Sequence, residues 1–373
     1  MKQKILILLL TTILGYLSHT NQALAQARYK VVEIENKTAK EKREDNSNVS
    51  IDIEHNITFS ISKTPSISKQ QPSLINNNIS LKLGAFGLRV NDTTESMLQK
   101  LGIPTSKYKI SDSELLYSYG RNLWVYTHQN LVKQITTENS SVSVMLTNSI
   151  AFDNRFDSDW IIENTIGYEL TKPVLEETRK GTFLTDSTYR IKDTGDTYID
   201  VLLALKIVDG EKKWMVSGFT YGDSNFTIAE KARRKDDIGY NNILSYIDQF
   251  RRGKKPILLE EMPFTPTFEA FSDEGHIIQV YDNHLVLRFS YGELKKLSIY
   301  EAIFNQQELI EKWEFGPHYA GQLGKEVVEL YGENILALDD YWQVFLEDMK
   351  YDLYFNIQDD STLKLAEIEL EFF

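Results

Sequence analysis

The sequence predicts an α+β protein of two domains, each with a short helix packed on an antiparallel sheet, joined by a helical connector. Three observations lead there. Short runs of alternating apolar and aromatic residues recur with tight-turn signals between them, as hairpin-connected strands require. A helix-period stretch around Met97, Leu98 and Leu101, ended by Gly102, has a counterpart ended by Gly332. Between these halves, residues 228–256 lose the strand alternation and become amphipathic and basic.

At the N-terminus, Lys2 and Lys4 precede the apolar run 5–13, and Ala23-Leu24-Ala25 offers a small-x-small cleavage site. That order is the one a secretory signal peptide needs, so residues 1–25 are expected to be removed on export to a periplasm. The apolar run is shorter than the roughly 20 residues that span a bilayer. The chain has no cysteine. A lipidated N-terminus, disulfides and cysteine-based zinc sites are therefore excluded, and no membrane anchor is expected.

Residues 26–75 read as a polar N-terminal segment, rich in charge around Lys37–Asn46 and alternating only at 49–53 and 57–61. The first domain is placed at 76–227. It opens with a strand candidate at Leu81–Leu83, then a helix with N-cap candidates from Asn91 onward, stopped by Gly102 and Pro104. Strand candidates follow at Leu115–Tyr119, Leu123–Tyr126 and Leu131–Thr136, with turns at Gly120-Arg-Asn and Gln129-Asn130. Further strands are expected at Val142–Leu146, Thr188–Ile191, Tyr198–Ile207 and Lys213–Tyr221, with Asp209-Gly210 as a turn. Residues 160–166 and 173–177 read as short helical or irregular pieces.

The connector, 228–256, ends in the basic cluster Arg251-Arg-Gly-Lys-Lys, which a helix C-terminus favours through its dipole. The second domain, 257–373, carries a hairpin signal at Asp282-Asn283 between Ile277–Tyr281 and His284–Phe289. A helix is expected over 297–310 and another before Gly332. Strands are expected at Tyr341–Phe345, Asp352–Phe355 and Leu363–Phe372.

Charge and chemistry narrow the function. The chain holds 41 Lys+Arg against 54 Asp+Glu, and removing the signal takes away Lys2 and Lys4 but no acid. Such a balance disfavours nucleic acid and suits solubility or a basic protein partner. No Gly-x-Ser-x-Gly elbow, phosphate-binding loop or zinc spacing occurs. Of the histidines His55, His128, His276, His284 and His318, only His276 and His284 flank one hairpin, a placement that would set them facing each other across it. Asp339-Asp340 and Asp359-Asp360 are paired acids, and the second pair sits where a turn is needed. No catalytic residue, cofactor or metal is expected, and the chain is not read as an enzyme.

Setting Gly102 against Gly332 aligns two segments. One runs Thr94-Glu-Ser-Met-Leu-Gln-Lys-Leu-Gly-Ile-Pro, then Tyr117, Trp124 and Leu131–Ile135. The other runs Gly324-Lys-Glu-Val-Val-Glu-Leu-Tyr-Gly-Glu-Asn, then Trp342, Tyr354 and Leu363–Ile368. This helix-Leu-Gly-x-Pro-then-strands pattern resembles the SmpA/OmlA (BamE-like) family and the repeats of β-lactamase inhibitor proteins, over about 80–137 and about 316–373. The second copy lacks the proline. Each segment reads as a short helix followed by three antiparallel strands, and the resemblance implies a sheet face that grips another protein. Tyr117, Tyr119, Trp124, Tyr126, Tyr341, Trp342, Tyr351 and Tyr354 are the partner-binding candidates. The expected function is an immunity or inhibitor protein of the periplasm, neutralising a basic effector or envelope enzyme such as a cell-wall hydrolase. The alternative is an accessory factor for envelope maintenance or outer-membrane assembly.

Overall fold

The computed structural model describes residues 71–373, apart from 75, 140, 158, 229–239, 253–254, 301–302, 305–312 and 360. The signal peptide, nearly all of the 26–75 segment, and most of the helix expected up to residue 310 lie outside the described residues.

The first half opens with β1 (Asn78–Ile79) and helix α1 (Thr94–Leu101). A four-strand meander follows: β2 (Ser106–Lys109), β3 (Glu114–Tyr119), β4 (Leu123–His128) and β5 (Leu131–Thr136). After α2 (Val144–Ser149) come a short ribbon, β6 (Ile161–Ile162) and β7 (Ile166–Gly167), and helix α3 (Lys172–Glu177). A second meander is built from β8 (Thr182–Thr185), β9 (Thr188–Lys192), β10 (Thr197–Val208) and β11 (Glu211–Asp223). The second half repeats this order. Helix α4 (Tyr240–Arg252) precedes β12 (Phe268–Phe271), β13 (Ile277–Tyr281), β14 (Leu285–Ser290) and β15 (Glu293–Ile299). A ribbon, β16 (Glu314–Phe315) and β17 (His318–Tyr319), leads to α5 (Gly324–Tyr331). The last meander is β18 (Ile335–Leu338), β19 (Tyr341–Phe345), β20 (Met349–Ile357) and β21 (Leu363–Phe372).

All four meanders belong to one antiparallel sheet of 16 strands, in the order β18-β19-β20-β21-β15-β14-β13-β12-β2-β3-β4-β5-β11-β10-β9-β8. This overturns the two-domain α+β expectation. The described residues are mostly β, with 45% of them in strands or bridges against 17% helical. The sheet runs unbroken through the residues assigned to both expected domains. The correction has a physical cause: strands β2 and β12, only four residues each, pair across the halves at Phe268↔Tyr108, Glu269↔Lys107 and Ala270↔Ser106.

The two halves match in detail. Within the first, the meanders join through β5 and β11; within the second, through β15 and β21. Register shifts fall at corresponding places, at Tyr126/Thr127 and Arg288/Phe289 in one pair of hairpins. In the other pair they fall at Leu202/Leu203 and Tyr354/Phe355. A bulge re-aims the strand and sharpens its twist, so matched bulges imply matched curvature.

A second device recurs ahead of three helices. Asn91, Glu169 and Gly321 have φ of 68°, 65° and 81° and stand two residues before the N-caps Thr93, Thr171 and Leu323. Each donates its N–H to the last strand of its meander: Asn91 to Val132 at 2.7 Å, Glu169 to Val216 at 2.8 Å, Gly321 to Leu365 at 2.8 Å. The same strand residue donates back to the carbonyl of the next residue, Asp92, Leu170 or Gln322. The left-handed turn thus tacks each helix entrance to the sheet; glycine or asparagine adopts it at least cost.

Locally the turn chemistry behaves as expected. Gln129 and Asn130 (φ 49° and 62°) and Asp209-Gly210 (54° and 80°) form left-handed two-residue turns, and Asp282 (56°) begins the β13–β14 hairpin. Gly102 (φ 86°) ends α1, where Thr93 caps the start by accepting from Ser96 N at 3.1 Å. Four local expectations differ. Ser143 caps Leu146, so 144–149 is helical where a strand was expected. Residues 297–299 extend β15. Strand β1 precedes the Leu81–Leu83 candidate, which is a turn. Each repeated segment carries four strands, where three were expected.

The core divides by sheet face. One cluster gathers Tyr108, Leu116, Trp124, Tyr126, Phe268, Val280 and Val286 across the junction, closed by Leu146 and Ile150 and by Ile303 and Phe304. Another lies in the C-terminal half, where Ile243, Leu244 and Ile247 of α4 meet Leu285, Leu297, Leu353 and Ile368. Phe268 is 1% exposed and sits on the joining strand. Phe268→Ala is expected to lower stability by about 3–5 kcal/mol, the usual cost of emptying a buried Phe site. Urea unfolding checks this; an unchanged midpoint would show that the junction contributes nothing.

Candidate functional site

Strand alternation decides which candidate residues can meet a partner. In the first unit both faces of β3 and β4 are covered. Tyr117, Tyr119, Trp124 and Tyr126 are at most 2% exposed. Tyr119 donates its hydroxyl to Gly102 O at 3.1 Å, and Trp124 Nε1 donates to Arg121 O at 3.2 Å. Burial pushes the phenols of Tyr117 and Tyr119 far above their ordinary range. Trp342 and Tyr351 are buried as well, against Phe355 and His318 respectively. These six are core residues, a correction to their reading as contact residues.

Tyr341 and Tyr354 are different. They sit directly opposite on β19 and β20, part-exposed, with ring centroids 5.1 Å apart. The register carries their face across the sheet. Gln343 lies opposite Asp352, Asp352 opposite Glu369, and Glu369 opposite Ser298. The next row sets Lys350 against Glu371 and Glu371 against Lys296. One face of the C-terminal half is therefore a patterned sheet of tyrosines, acids and bases.

These side chains are held in place by each other. Asp352 accepts from Tyr341 OH at 2.6 Å, Gln343 Nε2 at 2.8 Å and Lys350 Nζ at 2.8 Å. Burial alone would raise the Asp352 carboxyl, but hydrogen bonds from Lys350, Tyr341 and Gln343 outweigh it and hold it below its ordinary value. Glu369 repeats the arrangement. Lys296 Nζ lies at 2.6 Å, Tyr300 OH at 2.5 Å and Ser298 Oγ at 3.2 Å. Burial again acts upward, and the bonds from Lys296 and Tyr300 prevail, lowering its pKa. Each acid thus fixes a base and a tyrosine in one geometry, so little rotamer freedom remains for a partner to freeze.

The first half has its own version. Arg190 grips Asp200 through two bonds of 2.7 Å and lies 4.3 Å over the Tyr198 ring. Asp200 occupies on β10 the position Asp352 has on β20, each opposite the strand that joins two meanders.

Sequence reasoning missed Gln343, Lys350, Asp352, Glu369, Lys296 and Tyr300. A signal existed in the polar alternations Lys350-x-Asp352-x-Tyr354 and Glu367-x-Glu369-x-Glu371, which mark one strand face. His276 and His284 do not meet: Ile277 pairs with Phe289 and Tyr281 with Leu285, so they stand at opposite ends of their hairpin. His276 lies 3.4 Å from Glu274, and His284 Nδ1 lies 3.1 Å from Tyr300 O. Among the described residues no group of side chains is arranged to hold a metal. Asp339 and Asp340 form the β18–β19 turn, and Asp360 lies outside the described residues.

Because the Asp352 and Glu369 pKa values are lowered by folding, their contribution is present above the unfolded values near 4 and is lost as pH falls through the folded ones. Asp352→Asn is expected to destabilise at pH 7 by about 1–3 kcal/mol, as loss of a charge-assisted network does. It also flattens the loss of stability below about pH 4. Thermal melts from pH 7 to pH 3 check both; a variant that loses stability with acid as steeply as the wild type would refute the role. Against protein-family models, curated protein sequences and solved structures, nothing matches this chain.

Proposed function

We propose that this chain is an exported protein-binding protein, an immunity or inhibitor protein that neutralises a basic effector acting on the cell envelope. The observation that carries the reading is the prearranged face of the C-terminal half, where Tyr341 and Tyr354 stand beside the Asp352 and Glu369 networks. Tyrosines on a rigid sheet offer large contact area at small entropic cost. The exposed acids Glu333, Asp339, Asp340 and Glu371 around them fit a basic partner and would speed its capture more than deepen its hold. The overall acidic balance acts in the same direction.

The test uses immobilised protein and periplasmic extract. Wild type is expected to retain a specific basic protein, and Tyr341→Ala with Tyr354→Ala to weaken that capture at least tenfold. Truncating the buried Tyr117 instead is expected to lower the melting temperature. Equal capture by wild type and the double variant would refute the assignment of this face. Export has a separate readout. Protection of cells against the partner requires residues 1–25, and protection by the truncated chain would place the target elsewhere.

A further inference from the structure

Among the described residues the sheet ends at two strands, β8 and β18. At β8, Lys172 Nζ lies 4.6 Å over the Phe183 ring and 2.9 Å from Asp186. That lysine belongs to α3, and β8 itself reads Thr-Phe-Leu-Thr with Leu184 51% exposed, so it is the flanking charge that distinguishes this end from the other. At β18 the strand reads Ile-Leu-Ala-Leu, with no charge, proline or glycine inside it. Leu336 is 49% and Leu338 53% exposed, and Phe345 on the same face of β19 is 50% exposed.

The backbone at this edge is available in a defined register. Asp339-Asp340 is a two-residue turn with Leu338 opposite Tyr341. Residues flanking such a turn exchange both hydrogen bonds, so alternate positions, Ile335 and Ala337, turn their N–H and C=O outward. Acids bracket the strand: Glu333 before it, Asp339 and Asp340 after it, all exposed.

The joint inside the molecule shows what this sheet demands of a neighbour. There β2 and β12, each the first strand of its meander, pair antiparallel with Lys107 opposite Glu269. Strand β18 is also the first of its meander. A second copy laid antiparallel on it would bring Glu333 against Asp339 and Asp340 at both ends, and like charges across strands repel. A segment with basic ends meets opposite charge instead.

We propose that β18 is a docking edge on which an extended segment of the partner adds as a further strand, apolar at alternate positions and flanked by Lys or Arg. This rests on the reading of the chain as a protein-binding protein and names the mode of binding. Main-chain bonds supply affinity, Leu336, Leu338 and Phe345 take the apolar side chains, and the acids select the basic flanks.

The probe is the synthetic peptide Lys-Arg-Ile-Thr-Val-Thr-Val-Arg-Lys, labelled for fluorescence anisotropy, against a control with Glu at each basic position. The basic peptide is expected to bind the whole protein at least tenfold more tightly than the control, and more weakly as salt rises. Ala337→Pro, which removes an outward N–H, and Leu336→Lys are each expected to weaken it at least tenfold with an unchanged circular dichroism spectrum. If the proline variant fails to fold, Leu336→Lys, at an exposed side chain, decides. Equal binding of the two peptides, full binding by the edge variants, or no saturable binding at millimolar peptide would overturn the proposal. So would a wild-type dimer that Ala337→Pro dissolves, which assigns the edge to a second copy. Edge variants that capture the periplasmic partner normally, while the Tyr341 and Tyr354 variants do not, would refute the edge and leave the sheet-face reading standing.

Discussion

Three residue pairs between β2 and β12 hold the molecule together as one sheet. On one side of the joint Tyr108 and Phe268 face each other at 6.4 Å, and Phe304 stacks on Tyr108 at 4.5 Å. On the other side Lys107 stands opposite Glu269, which also accepts from Gln279. Burial pushes the Lys107 ammonium down and the Glu269 carboxyl up, each partly countered by the other's charge. The joint thus combines an aromatic clamp with a charged pair whose burial is costly unless the partners stay together. Without it, two eight-stranded sheets would each expose a fresh edge.

The same strands explain where a site can form. Around the junction both faces are covered, so aromatic residues there serve as core. Toward β18 the face carries acids, bases and tyrosines that reach solvent, and the networks around Asp352 and Glu369 make that surface rigid. The matched bulges at Leu202/Leu203 and Tyr354/Phe355 bend both outer meanders alike, yet the first half places Arg190 and Asp200 where the second places Gln343 and Asp352. One backbone plan therefore presents two different chemistries.

Much of the local structure was legible. Turn residues such as Gln129-Asn130, Asp209-Gly210 and Asp282-Asn283 located hairpins, because their left-handed conformations favour few residue types. Gly102 and Gly332 ended helices as read. Pairing between distant strands was not legible. Ser106–Lys109 and Phe268–Phe271 are only four residues long, and their register depends on each other across the chain. In β15, Leu294 and Leu297 are three apart with lysines between, a helical spacing produced here by strand residues beside a bulge. Among the site candidates, alternation divides residues between two faces but carries no information on which faces are covered. That is a property of the assembled layers, so only Tyr341 and Tyr354 proved accessible.

The junction also shapes how the chain must be made. Each meander closes through neighbours in sequence, which is fast and local. Strand β2 has its partner β12 far downstream, beyond a complete second meander and helix α4. At about 5–20 residues per second, synthesis leaves that edge of β2 without its neighbour for roughly ten to thirty seconds. The nascent N-terminal half thus carries an open strand edge bearing Tyr108 until Phe268 has emerged.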